Sequence, residues 1–279
     1  MNKNKRILLI DQLNLFFRNY IVNPSLSLNG APIGGLRGCV QSIQKIVRES
    51  KPDMIIVCWD GEGGSTKRKL IKKDYKDGRK PIRLNRDVRN LSPEQEIENK
   101  IWQQTRLVEY FNHTPIMQFM FKGTEADDII AHVCQMKELS ECEKVVVSSD
   151  KDFYQLLDGR TVLHRPVQKQ VLNQKSILDQ FEIHPTNFAM ARAMAGDKSD
   201  NLEGIGGVGL KTVSKRFPFF KDEVPVTFKK LLDYSRDMLP KTKAKVYERV
   251  IDQEDILRRN YQMMQLYVPS LSINAKNTI

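Results

Sequence analysis

Three short apolar runs that each close on an aspartate constrain this chain most: RILLID (6–11), MIIVCWD (54–60) and KVVVSSD (144–150). Each is a brief stretch rich in Ile or Val, the pattern of a strand buried on both faces of a parallel sheet. Between them, Leu36, Val40, Ile43 and Val47, then Ile97, Ile101, Val108 and Phe111, then Ala126, Ile129, Ile130 and Val133 recur at helical spacing. Strands alternating with helices predict an α/β fold on a parallel sheet. Ligands of such sheets sit beyond the carboxyl ends of the strands, so Asp11, Asp60 and Asp150 are expected to meet at one edge. A single aspartate there is ordinarily a turn or helix-cap residue. Three at equivalent places point to a shared site.

Downstream, TVLHRPVQKQVL (161–172) reads as a short strand pair. From Asn173 the spacing turns helical, through Ile177, Leu178 and Phe181 to Phe188, Ala191 and Met194. This divides the chain into an α/β core, 1–173, and a helical subdomain, 174–279. Within the core, about 66–92 is dense in Lys and Arg and poor in apolar periodicity, and is expected to be exposed and mobile. The tail from Ser270 is expected to fray. The chain has 279 residues, with 45 Lys and Arg against 34 Asp and Glu, a net charge of +11. That balance suits a polyanion such as nucleic acid, although solubility alone explains it equally well. The apolar run Ile7–Ile10 is too short for an export signal or a membrane span. Cys39, Cys58, Cys134 and Cys142 form no CxxC pair and read as reduced thiols. A cytoplasmic protein without a membrane partner is expected, and a monomer, since no heptad pattern is legible.

The acids do not stop at three. TEADDIIA (124–131) offers Thr124 as an N-cap and places Glu125, Asp127 and Asp128 in one helical turn, with Glu125 and Asp128 on one face. SSDKDFYQLL (148–157) adds Asp152 two residues after Asp150, and GDKSDN (196–201) adds Asp197 and Asp200. Nine clustered carboxylates are tolerable only if divalent cations offset their repulsion and desolvation. Oxygen ligands without grouped His or Cys select Mg²⁺ or Mn²⁺ over zinc, and no EF-hand spacing is present. Two such ions, about 4 Å apart, can activate water and stabilise both oxygens of an in-line phosphoryl displacement. Ser148 and Ser149 have no evident His partner, so a serine nucleophile is not expected.

With LLIDQLN, the WDG after the second run, YKDGR, EADD, SSDKDFYQLL and above all GDKSDNLEGIGGVGLKTV, most of the chain resembles the flap-endonuclease and 5′-3′ exonuclease family. That family includes stand-alone phage nucleases and the nuclease domains of bacterial DNA polymerases. The resemblance implies a PIN-like or resolvase-like core acting on 5′ flaps and on nicked or 5′-ended duplex DNA, with activity on RNA–DNA hybrids, in replication or repair such as Okazaki-fragment processing. It implies one metal set of Asp11, Asp60, Glu125, Asp127 and Asp150 with Asp128 nearby, and a second of Asp152, Asp197 and Asp200. GIGGVGLKT (204–212) is similar to the family's helix-hairpin-helix turn, which implies a K⁺ ion on loop carbonyls and duplex contacts from Gly206, Gly207, Gly209, Lys211 and Lys215. The basic segment matches the family's arch. There Arg68, Lys72, Lys76 and Arg79 are implied to grip phosphates, Lys76 and Arg79 beside the scissile bond. Tyr75 is open to two readings, base stacking or packing. The chain departs from many relatives in having Lys67 before Arg68, one residue further from the second-strand aspartate. With no polymerase region following, a stand-alone, phage-like nuclease is expected. Two other classes fit parts of the pattern. A non-catalytic binder of branched DNA would not need the full carboxylate set, and a PIN-like ribonuclease would not need the hairpin.

Overall fold

The computed structural model describes residues 5–88 and 90–279. Six strands form one sheet: β1 (Arg6–Asp11), β2 (Met54–Trp59), β3 (Ile116–Met120), β4 (Glu143–Val147), β5 (Thr161–Arg165) and β6 (Gln170–Leu172). Their order is β3-β2-β1-β4-β5-β6, parallel except for β6, which returns antiparallel beside β5. The three sequence-read strands are therefore its adjacent centre. In register, Ile10 lies beside Val57 on one side and Val147 on the other, so the residues that follow all emerge at one edge. β3 is not legible in the sequence, because IMQFM has a single β-branched residue and, at the sheet edge, leaves Met117 and Met120 exposed.

Alternate residues of β1 feed two cores. Leu8 and Ile10 pack with Phe16, Tyr20, Ile43 and Leu107 beneath α1 (Gln12–Val22), α2 (Gly34–Ser50) and, beyond the basic helix α3 (Thr66–Ile71), α4 (Pro93–Asn112). Ile7 and Leu9 pack with Ile129, Ile130 and Val133 of α5 (Ala126–Gln135). This second core continues into the C-terminal helices α6 (Gln174–Phe181), α7 (Phe188–Ala195), α8 (Leu210–Arg216), α9 (Phe228–Met238), α10 (Val246–Asp252) and α11 (Glu254–Met264). Burial on both faces explains the unbroken apolar strands.

Four expectations are corrected. On α4, Ile97 and Ile101 are exposed, and the inner stripe is Glu96, Gln103, Leu107 and Phe111. The two polar members are tolerated there because Glu96 accepts from Arg83 and the Leu84 amide, while Gln103 bonds the Leu36 amide and the Pro32 carbonyl. The tail does not fray: α12 (Ile273–Thr278) is capped by Ser272 and buries Ala275. Thr124 is not the cap of α5. Glu125 holds that position without a side-chain cap, and the Ala126 amide donates instead to Asp60 at 2.7 Å. Finally, the basic segment is not uniformly exposed, since Tyr75 and Leu84 are buried and its cations reach inward. Arg89, within this segment, lies outside the described residues.

Candidate active site

Beyond the carboxyl edge of the sheet lies a cavity of about 150 Å³, lined by seven carboxylates: Asp11, Asp60, Glu125, Asp127, Asp150, Asp152 and Asp200. Asp11 ends the central strand and also caps α1, accepting from the Asn14 amide at 3.3 Å. The capping role and the cavity role thus coincide in one residue. Ser148 donates to its other oxygen at 2.8 Å. Asp150 lies three residues beyond β4 and accepts from the Asp152 amide at 2.8 Å. Asp128 and Asp197 do not line the cavity. Asp128 accepts from the Ser270 amide at 2.7 Å and lies 3.4 Å from Arg68, and Asp197 accepts from Ser199 and Arg192.

The basic segment closes one side. Arg68 and Lys76 both pair with Glu125, Lys76 at 2.7 Å, and Ser65 donates to the same carboxylate at 2.7 Å. Arg79 pairs with Asp200. The backbone is tied as well: the Lys76 amide donates to the Asp200 carbonyl, and Asn201 donates to the carbonyls of Asp74 and Asp77 at 3.0 and 2.8 Å. Lys72 instead pairs with Asp74 at 2.5 Å, away from the acids. Tyr75 is 4 % exposed, its ring beneath the Lys76 ammonium, so packing is the reading the structure supports.

These contacts split the acids into two electrostatic classes. Burial would push the Glu125 carboxyl upward, but Arg68, Lys76 and their hydrogen bonds outweigh it and hold it below its usual range. Asp197 is likewise lowered, its burial overcome by Ser199 and Arg192. Asp11 rises to about 7, through burial first and then repulsion from Asp60 and Asp150. Asp127 is driven well above its usual value by burial and by Asp11 and Asp150, and no protein donor among the described residues hydrogen-bonds to it. Asp60 is raised by burial, against the Ala126 amide. Asp152 rises to about 7 through burial and Asp150, although Arg192 opposes this at 3.1 Å.

The raised group is an all-oxygen donor set short of positive charge, which fits a hard divalent cation. Among the described residues, no three acidic, His or Cys side chains are gathered as one ion's ligands. The pH dependence has a definite sign. Acids with raised folded-state pKa values contribute stability below about pH 4 that is lost as pH rises toward about 7. Glu125 and Asp197 act oppositely, but their contribution is complete above about pH 4.5. In EDTA, the melting temperature is therefore expected to fall between about pH 5 and 7.5, and Mn²⁺ or Ca²⁺ to restore it, by scanning fluorimetry. A rise across that window would contradict the assignment of uncompensated acids.

Two contributors were missed in the sequence. Arg192 bridges Asp152 and Asp197; its signal is a lone charge in the apolar helix FAMARAMA next to GDKSD. Ser65 carries no local signal, since only folding brings it to Glu125. The hairpin glycines lie apart from the cavity, on a separate groove, and Lys211 and Lys215 are exposed on α8. No helix among the described residues is long and apolar enough to cross a membrane.

Known proteins match this architecture. A 5′-3′ exonuclease of Mycoplasmopsis pulmonis is 29% identical over 226 residues, covering 79% of this chain and 68% of that protein. The flap endonuclease Xni of Shewanella sp. (strain W3-18-1) is 28% identical over 279 residues, covering 99% and 94%. A bacteriophage T5 flap endonuclease structure, a pseudo-enzyme–product complex with DNA and metal ions, has a TM-score of 0.74 at 21% identity, over 97% and 92% of the two chains. At that identity the likeness is one of fold. The family model described as 5′-3′ exonuclease, N-terminal resolvase-like domain, matches residues 6–182. With more than half its length matched, this chain belongs to the 5′-3′ exonuclease family and is a nuclease.

Proposed function

We propose that this nuclease hydrolyses phosphodiester bonds at 5′ flaps and at nicked or 5′-ended duplex DNA, using two divalent cations, Mg²⁺ or Mn²⁺. The observation that carries this reading is the single cavity in which seven carboxylates face Arg68, Lys76 and Arg79. Asp11, Asp60, Glu125, Asp127 and Asp150 would hold one ion, and Asp152 and Asp200 the other, with Asp197 joining them on release from Arg192. When bound, the ions supply an activated water and neutralise charge on the phosphoryl group. Asp11 is oriented for its part by Ser148 and the Asn14 amide. Lys76 and Arg79 hold positive charge at the cavity, where a scissile phosphate would enter. Asp128 acts one layer back, steadying Arg68 and accepting from the Ser270 amide. RNA–DNA hybrids share the phosphate chemistry and belong among the substrates, which suits replication or repair by a monomer in the cytoplasm.

Cleavage of a 5′-end-labelled flap duplex in Mg²⁺, beside EDTA, a bare single strand and an RNA–DNA hybrid, tests this. Metal-dependent cutting near the junction is expected. Tight flap binding with no cutting in any metal would favour the non-catalytic reading. Binding should weaken at least about tenfold between roughly 50 and 200 mM salt, because several phosphate contacts release counterions. An anisotropy titration with no salt dependence would remove the basic segment and hairpin as DNA contacts.

A further inference from the structure

The basic segment and the acidic loop before the hairpin meet where their backbones are joined. Asn201 follows the short helical turn Lys198–Asp200 and stops it with a left-handed φ of +58°. Glycine would stop the turn equally well, so that task leaves the side chain unexplained. Its Nδ2 reaches out of the loop and donates to the Asp74 carbonyl at 3.0 Å and the Asp77 carbonyl at 2.8 Å. The reverse orientation would set Oδ1 against two carbonyl oxygens, so these partners fix which end of the amide faces the basic turn. The Lys76 amide closes the junction from the other side, donating to the Asp200 carbonyl at 3.2 Å. Next in the chain, Leu202 packs with Tyr75, Met263 and Met264.

What the junction holds is the turn that carries two cations of the cavity. Lys76 has a left-handed φ of +61°, a conformation that a lysine keeps only where its surroundings fix it. Its ammonium lies 2.7 Å from Glu125, and Arg79 pairs with Asp200 and donates through Nε to the Ser199 carbonyl at 3.2 Å. Two further ion pairs of the turn, Lys72 with Asp74 and Lys69 with Asp77, stay inside the basic segment. Among the described residues, the backbone of 74–78 is bonded outside that segment only through the Lys76 amide and the two bonds from Asn201.

The ion pairs and the amide bonds differ in what metal does to them. Glu125 and Asp200 are among the acids read above as metal ligands, so loading competes with Lys76 and Arg79 for them. The Asn201 bonds are neutral, run to backbone carbonyls and use no such carboxylate. We propose that Asn201 is a positioning residue for cleavage. It bolts the turn 74–77 to the loop that carries Asp197 and Asp200, and so keeps Lys76 and Arg79 at the cavity once their carboxylates turn to metal. This rests on the reading of Lys76 and Arg79 as phosphate contacts given above.

Asn201→Gly tests it, since glycine keeps the left-handed backbone and removes only the amide. Single-turnover flap cleavage in Mg²⁺ is expected to slow about 30-fold, the scale of a misplaced group, with flap affinity within about threefold. Hydrogen exchange of the metal-free protein should quicken at the Lys76 amide. Because Asn201 acts through Lys76 and Arg79, the same substitution in a protein already carrying Lys76→Ala and Arg79→Ala should cost less than about threefold. Asn201→Asp, of the same shape and tolerant of the same φ but unable to donate, should reproduce the loss and serves should the glycine variant not fold. An unchanged rate, or a cost of equal size in both backgrounds, would overturn the assignment. So would a loss of Mn²⁺ affinity with the Lys76 amide still protected, which would place Asn201 in the service of the acids alone. Wild-type cleavage by the Lys76→Ala, Arg79→Ala protein would instead overturn the reading of those cations as phosphate contacts.

Discussion

Replacing Asp127 with Asn is expected to slow flap cleavage by about 10³-fold, the scale on which an electrostatic stabiliser of a transition state acts. Flap binding should stay within a few-fold. Asp127 is half-buried among Asp11, Asp150 and Glu125, and its charge is disfavoured in the metal-free fold. The same substitution should therefore raise stability in EDTA near neutral pH. It should also erase part of the stabilisation that Mn²⁺ confers. Single-turnover cleavage and thermal melts with and without metal read these effects. Wild-type turnover, or a lower melting point in EDTA, would show that Asp127 is an ordinary structural acid. The activity–stability opposition is what a site built from uncompensated charge requires.

Replacing Lys76 with Ala should slow cleavage by about 10²-fold while tightening Mn²⁺ binding. The reason is competition. Lys76 and Arg68 occupy Glu125, so the fold offsets that acid with its own cations. Removing one leaves the carboxylate freer for a metal ion, yet takes away the charge that would meet the phosphate. The backbone at Lys76 has a left-handed φ of +61°, a cost that Ala shares, so the comparison isolates the ammonium. Calorimetric Mn²⁺ titration beside single-turnover kinetics separates the roles. Weaker metal binding would mean that Lys76 merely props Glu125, and an unchanged rate would remove it from the chemistry.

The docking of the basic segment marks the limit of what local pattern conveys. Read alone, residues 66–92 are a charged stretch without periodicity, for which a solvated loop is the reasonable expectation. Their partners, Glu125, Asp200 and Met263, lie far along the chain: Arg68 donates to the Met263 carbonyl at 3.0 Å. A similar limit applies to α4. Apolar spacing selected Ile97 and Ile101, whereas tertiary hydrogen bonds made Glu96 and Gln103 the buried choice.

The sequence by itself determined the central strands, the convergence of their aspartates and the helical character of the second half. Those features follow from side-chain periodicity and from the fixed geometry of parallel sheets, both local rules. Only the tertiary structure decided which acids share the cavity, which are neutralised by Arg68, Lys76, Arg79 and Arg192, and which, like Asp128, turn to another task. Charge pairing depends on distance and burial in three dimensions, and sequence separation encodes neither.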